Sequence, residues 1–268
     1  MKKYTLLLTV LLTVFVSLNG CSSVPVKEHN DTENSNPSED VFAPVNDSHN
    51  YTVVTYEDEI TSPDGTVLAK YDYSYPVFES NGGDDEEYIE AVNKMFSASA
   101  LGIENEAKNE YESLVKAYEE SKEYGFSFMP YQYTYDFEIH TDAKGILSVT
   151  EIRHYYTGGA HGGTFKDSHT FDVVNGKELS LSDLLYGTED EIVEAFAKEF
   201  AKASDLFYPG DDPLEVVPEE FQYAEYYVDA EGVTAYFQEY HVGPYVVGFV
   251  SATISDKNML KYDFSATE

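Results

Sequence analysis

The sequence predicts an α+β fold: antiparallel sheets, made of a hairpin and two meanders, packed with two or three amphipathic helices. Three observations lead there. Tyr131, Tyr133, Tyr135, Phe137 and Ile139 alternate strictly with polar residues, the period of a strand with one buried face. Ile89, Val92, Met95 and Phe96 recur at the spacing of one helix face, and Ala107, Tyr111, Leu114, Val115 and Tyr118 continue the pattern. The order hairpin, helices, meander, helix, meander lacks the regular strand–helix alternation of a parallel doubly wound sheet.

Residues 51–60 have strand character, and Ser62-Pro63-Asp64-Gly65 turns the chain into a second strand over 67–78. Asn81-Gly82-Gly83 ends this hairpin, and Asp84-Asp85-Glu86-Glu87 opens the helical region with the charge that the helix dipole favours. No spaced loop of oxygen ligands surrounds these acids, so they read as a solvated helix start and not as a calcium site. The pattern weakens near Gly102, giving one long helix or two in succession.

After the strand at 131–139, Asp142-Ala143-Lys144-Gly145 turns the chain back into 146–156. The next stretch, Thr157-Gly158-Gly159-Ala160-His161-Gly162-Gly163-Thr164, holds four glycines in eight residues. Residues 164–174 form a further strand, Asn175-Gly176 is a strong hairpin turn, and 178–181 pairs back. A helix spans 189–203 with Ile192, Val193, Phe196 and Phe200 on one face. A Pro/Asp-rich loop covers 208–218, and strands at 223–229, 234–240, 245–254 and 260–264 close the chain. A subdomain boundary is expected between 51–127 and 128–268, the second part carrying the glycine-rich loop.

The N-terminus reads as an export signal. Lys2 and Lys3 precede an apolar stretch over 4–18, shorter than the roughly 20 residues of a spanning helix. It ends in Leu18-Asn19-Gly20-Cys21, a lipobox-like sequence whose cysteine is the only one in the chain. Residues 1–20 are thus expected to be a lipoprotein signal peptide, Cys21 the lipidated residue, and 21–50 an acidic tether too poor in apolar residues to fold. The protein is expected at the cell membrane, lipid-anchored on the extracytoplasmic face.

Charge bounds the partners. The chain carries 16 basic and 50 acidic residues, a formal net charge of −34, and becomes two units more negative without Lys2 and Lys3. Such a field repels nucleic acid and anionic lipid and attracts cationic proteins.

Two loops stand out as binding candidates. Tyr155, Tyr156, Gly158, Gly159 and His161 would present flat amphipathic surfaces from a glycine-rich connection, and Gly243, Pro244 and Tyr245 would form a second such loop. His154, His161 and His169 could be imagined as zinc ligands, but two lie on adjacent predicted strands and one in a loop. His161 reads better as a loop-holding hydrogen-bonder. No metal site, cofactor or catalytic residue is expected. No Gly-x-Ser-x-Gly elbow or His-x-x-x-His pair occurs, and acidic pairs are too common to single out a dyad.

The segment 73–78 with the acidic helix after it, Tyr155-Tyr156-Thr157-Gly158-Gly159-Ala160-His161-Gly162, Phe171-Asp172-Val173-Val174-Asn175-Gly176-Lys177 through Leu184, and Tyr240-His241-Val242-Gly243-Pro244-Tyr245 resemble one bacterial envelope module. It is the tandem extracytoplasmic domain shared by RsiV-type, lysozyme-binding anti-sigma factors and the N-terminal region of PdaC-type peptidoglycan deacetylases. The resemblance covers roughly residues 51–264, without a sigma-binding or a deacetylase part. It implies a surface-anchored, non-catalytic binding lipoprotein that captures a cationic envelope protein such as lysozyme. A peptidoglycan-binding accessory module is the alternative, and a metal-dependent hydrolase a weaker one.

Overall fold

A computed structural model describes residues 48–82 and 85–264. The expected signal peptide, the lipidation site at Cys21 and nearly all of the expected tether lie outside them, as does Asp84.

The first lobe begins with the expected hairpin, β1 (Tyr51–Thr61) and β2 (Val67–Phe78). Two helices follow, α1 (Glu86–Asn109) and α2 (Tyr111–Tyr124). The break falls at Glu110 and not near Gly102, which stays inside α1. β3 (Tyr131–Ala143), β4 (Ile146–Tyr156) and β5 (Gly163–Asp172) form the first meander, and β6 (Lys177–Glu178) adds two residues. The expected return strand over 178–181 stops there, because the Asp183 carboxylate accepts from the Ser180 amide at 2.9 Å and starts a helical turn, α3 (Leu181–Leu184).

Hairpin and meander merge in one sheet of order β1-β2-β3-β4-β5-β6. All its pairs are antiparallel except β2 and β3, which run parallel with Tyr73 opposite Tyr135. A parallel neighbour requires a long crossover, and α1 with α2 supplies it. Residues 127 and 128 lie in that crossover, and the sheet continues across them.

The apolar stripe of α1, Ile89, Val92, Phe96, Ala100, Ile103 and Ala107, buries against Tyr71, Tyr133, Tyr135, Leu147 and Val149. The start of the described chain is pinned as well. His49 is buried; its amide donates to Asp142 Oδ2 at 2.6 Å, and its ring nitrogens lie 2.8 Å from Asp142 Oδ1 and 3.2 Å from Asp85 Oδ2. Asp85, at the head of α1, is therefore buried and partnered, where a solvated helix start was expected.

The second lobe has its own core, running from Leu179 to Phe264 and joined by Ile146 of β4. α4 (Glu189–Phe200) opens with a capping box, Thr188 Oγ1 accepting from the Glu191 amide and Glu191 Oε2 from the Thr188 amide. A 3-10 turn over Ala201–Leu206 completes the expected helix. The expected 208–218 loop contains a helix, α5 (Pro213–Glu220), because Asp212 Oδ1 accepts from the Leu214 amide at 2.9 Å and Pro213 occupies the first turn, where its missing N–H costs nothing. Asp212→Ala is expected to cost about 1 kcal/mol and Asp212→Asn much less, read as urea midpoints.

β7 (Glu225–Asp229), β8 (Gly232–Phe237) and β9 (Val250–Ile254) form a three-stranded antiparallel sheet. Each is shorter than expected: residues 221–223 and 245–247 are 3-10 turns, and the last segment contributes only a bridge, Leu260 to Leu185. Val233, Ala235 and Phe237 share the core with α4. β7 lies against β3, β4 and β5 on the face opposite α1, through hydroxyls: Ser148 Oγ accepts from the Val228 amide and Thr141 donates to the Val228 carbonyl, both at 2.9 Å. Ser168 and Tyr236 hydroxyls meet at 2.7 Å.

Candidate functional site

The glycine-rich connection leaves β4 at Tyr156 and enters β5 at Gly163. Gly158 and Gly159 have φ of +93° and +98°, a conformation that side chains oppose, so the tight reversal depends on them. The Tyr156 hydroxyl donates to the Gly159 carbonyl at 3.1 Å and closes the turn.

His161 holds the loop, as expected, and also reaches outside it. Its Nδ1 lies 2.7 Å from the Gly162 carbonyl, which can only accept, so Nδ1 carries the proton. In the neutral ring Nε2 then accepts from the Tyr240 hydroxyl, 2.9 Å away. The imidazole stacks on Tyr245 with centroids 3.8 Å apart and planes 16° apart, and Tyr245 stacks on Tyr240 at 5.4 Å. The two loops singled out in the sequence thus meet. Gly243 permits a close approach within the second lobe, since a Cβ there would strike the Leu206 carbonyl; Pro244 precedes the 3-10 turn that starts at Tyr245.

The contact is stitched at its base. The Gln238 side chain accepts from the Lys166 amide at 3.1 Å and donates to the Lys166 carbonyl at 2.5 Å, and Glu239 accepts from the Thr164 amide at 3.1 Å. Tyr240, which is not among the expected binding candidates, adopts φ +68° and presents its ring to solvent. Left-handed backbone is costly for a tyrosine and marks a position fixed by its surroundings. Tyr208 supplies part of that restraint by donating to the Tyr240 carbonyl at 3.0 Å.

Tyr155 lies next to the cluster, stacked on Phe165 at 5.7 Å, both exposed. Phe126 and Met129, also exposed, occupy the connection into β3, whose first residues pair with the last of β4. An unpatterned apolar run between Gly125 and Pro130 was the available signal for them. Strand pairing puts all these loops at one end of the large sheet. Tyr51 pairs with Phe78 at the other end, together with the 143–146 turn.

His154, His161 and His169 do not converge: His154 bonds the Thr164 hydroxyl at 2.9 Å, and His169 lies between Glu178 Oε1 at 2.9 Å and Glu151 Oε2 at 3.6 Å. Among the described residues no group of three or more His, Cys, Asp or Glu stands as a metal-ligand set. Burial pushes the His169 imidazole down, but the two carboxylates outweigh it and hold the group up at about 10. The same cluster holds Glu151 below its ordinary value against burial, with the Tyr135 hydroxyl donating at 2.6 Å. This network faces α1 within the first lobe and is a structural charge cluster.

Two abutting α+β lobes, each with its own sheet and core and joined at an aromatic loop cluster, define the class of the protein. Residues 62–164 match the family described as Deacetylase PdaC, and residues 182–257 match the Protein of unknown function (DUF3298) family, so the chain carries a PdaC-type and a DUF3298 domain in tandem. A crystal structure of a DUF3298 family member from Bacteroides fragilis superposes with TM-score 0.61 at 16% identity, covering 82% of this chain and 96% of its own. A DUF3298 family protein from Pseudomonas aeruginosa gives 0.54 at 14% identity, with 83% and 99% covered. At these identities the likeness establishes the fold. No curated protein matches the sequence.

Proposed function

We propose that the protein is a non-catalytic binding protein of the cell envelope, held at the extracytoplasmic membrane face by a lipid on Cys21. Its loop cluster captures a cationic envelope protein, with lysozyme the first candidate. The observation that carries this reading is the meeting of the exposed His161 and Tyr240, 79 residues apart in sequence, over a half-buried Tyr245. Tyrosines held by their neighbours bury large areas at little entropic cost and dominate many interfaces.

Two further observations support it. The net charge of −34 steers a cationic partner toward the molecule, and the loop cluster lies at the sheet end opposite Tyr51, where the chain arrives from the anchor.

The test is titration of lysozyme into purified Cys21→Ser protein. Binding is expected at low salt and should weaken steeply as salt rises, since the screening length falls from about 10 Å at 0.1 M to about 3 Å at 1 M. Tyr245→Ala is expected to weaken it by about tenfold or more with circular dichroism unchanged. Absence of binding at low salt would sink the proposal. The exposed Tyr155–Phe165 stack favours a second reading, a glycan strand of peptidoglycan laid on that flat face. Its signature is retention on cell-wall sacculi that survives high salt and is lost in Tyr155→Ala.

A further inference from the structure

The second lobe carries a groove of about 690 Å³, away from the aromatic cluster, between α4, the end of α5 and the segments 180–182 and 222–226. Val193, Phe221 and Tyr226 contribute apolar surface to it, while Glu189, Asp190, Glu194 and Glu219 line it with four carboxylates. No lysine or arginine is among the described residues that line it. Glu194 is paired outward with Lys198 at 2.8 Å, but no ion pair among the described residues engages Glu189, Asp190 or Glu219.

The dipole of α4 explains Glu189 and Asp190 in its first turn. It does not explain Glu219, in the last turn of α5, where the dipole opposes a carboxylate. Its neighbour Glu220 meets the His241 ring there at 2.9 Å. An apolar floor beside four carboxylates, of which Glu189, Asp190 and Glu219 have no ion pair among the described residues, matches an apolar side chain flanked by Lys or Arg.

We infer that this groove docks a segment of a cationic protein in which one large apolar residue is flanked by basic residues. The groove is a second contact surface, and it rests on the cationic-partner reading only for its biological partner. The chain's own segment 22–47 is a poor occupant, since it carries six acidic residues and one lysine.

The test uses the ¹⁵N-labelled Cys21→Ser chain and the peptide acetyl-Lys-Lys-Leu-Phe-Lys-Lys-amide, without lysozyme. Saturable amide shifts are expected at residues 180–182, 189–194 and 219–226. A peptide with Ser-Ser in place of Leu-Phe should bind at least about tenfold more weakly, as loss of two buried apolar side chains implies. Glu189→Lys with Asp190→Lys, both exposed in the native protein, should lower affinity by about tenfold or more through reversed charge.

Shifts scattered over the acidic surface, equal for both peptides, would mean non-specific attraction and overturn the inference. Absence of shifts, or a groove filled by a second copy and detected as concentration-dependent sedimentation, would overturn it too. The peptide result stands apart from lysozyme binding: peptide docking without lysozyme binding removes the proposed partner, and lysozyme binding unchanged by the double charge reversal, with no peptide shifts, removes only the groove.

Discussion

Glu151→Ala is expected to destabilise the protein by about 1–3 kcal/mol, because it removes the acceptor of a buried tyrosine hydroxyl and one of the two carboxylates that flank a half-buried imidazolium. Glu151 is 6% exposed; its two oxygens serve the Tyr135 hydroxyl at 2.6 Å and the His169 imidazole at 3.6 Å. Removing it leaves the hydroxyl without its acceptor and the imidazolium with Glu178 alone. Glu151→Gln keeps an acceptor for Tyr135 and should lose less. Urea unfolding at pH 6 measures both.

The same cluster sets a pH dependence whose sign follows from the direction of each shift. His169 is held at about 10, above its ordinary 6.5, so its contribution is complete below pH 6.5 and is lost as pH rises through about 10. Glu151 and Glu178 are held below their ordinary 4.5, so theirs is complete above that value and is lost in acid. Between pH 4.5 and 6.5 all three contribute in full. The urea midpoint is expected to fall from pH 6.5 to 10, and His169→Gln should flatten that slope. An unchanged slope in the variant would remove His169 as its source.

Local patterns placed much of the fold. The bounds of β2 and β4 agree with the expected strands, because a turn with defined chemistry stands at one end of each: Asp64-Gly65 before β2 and Lys144-Gly145 before β4. α5 went unread although its signal was present, Asp212 as cap and Pro213 behind it; a segment rich in Pro and Asp looks like a loop until the two are read as a pair. The parallel pairing of β2 with β3 had no local signal, since it depends on where two helices deliver the chain. The site divides in the same way. Glycines and aromatics marked both loops, but the His161–Tyr245 stack joins segments whose proximity is decided by how β8 leaves the second sheet beside β5. Tyr240 stood in the motif that carries the resemblance but not among the binding candidates, as its role rests on backbone conformation and on a hydrogen bond to the other lobe.

Phe196→Ala should cost about 3–5 kcal/mol and, more tellingly, should loosen both lobes together. Phe196 is fully buried on α4, 5.3 Å from Phe221 and within the core that Val233, Ala235 and Phe237 share, so truncation leaves a large void with rigid walls. The cores are separate, but the lobes are not independent. Ile146 of β4 belongs to the second core, and the buried bond from the Val228 amide to Ser148 Oγ crosses between the sheets. Pulling β7 away would exchange the bonds that the Ser148 and Thr141 hydroxyls make to Val228 for water, a net loss of about 0.5–1.5 kcal/mol for each. Native-state hydrogen exchange separates the alternatives. If the lobes unfold as one unit, the slowest amides of β3 and β4 exchange faster in Phe196→Ala by the same factor as those of β8, two decades or more at about 1.4 kcal/mol per decade. Acceleration confined to β8, β9 and α4 would show that the hydroxyl interface is too weak to couple the lobes, and the aromatic cluster would then sit across a hinge.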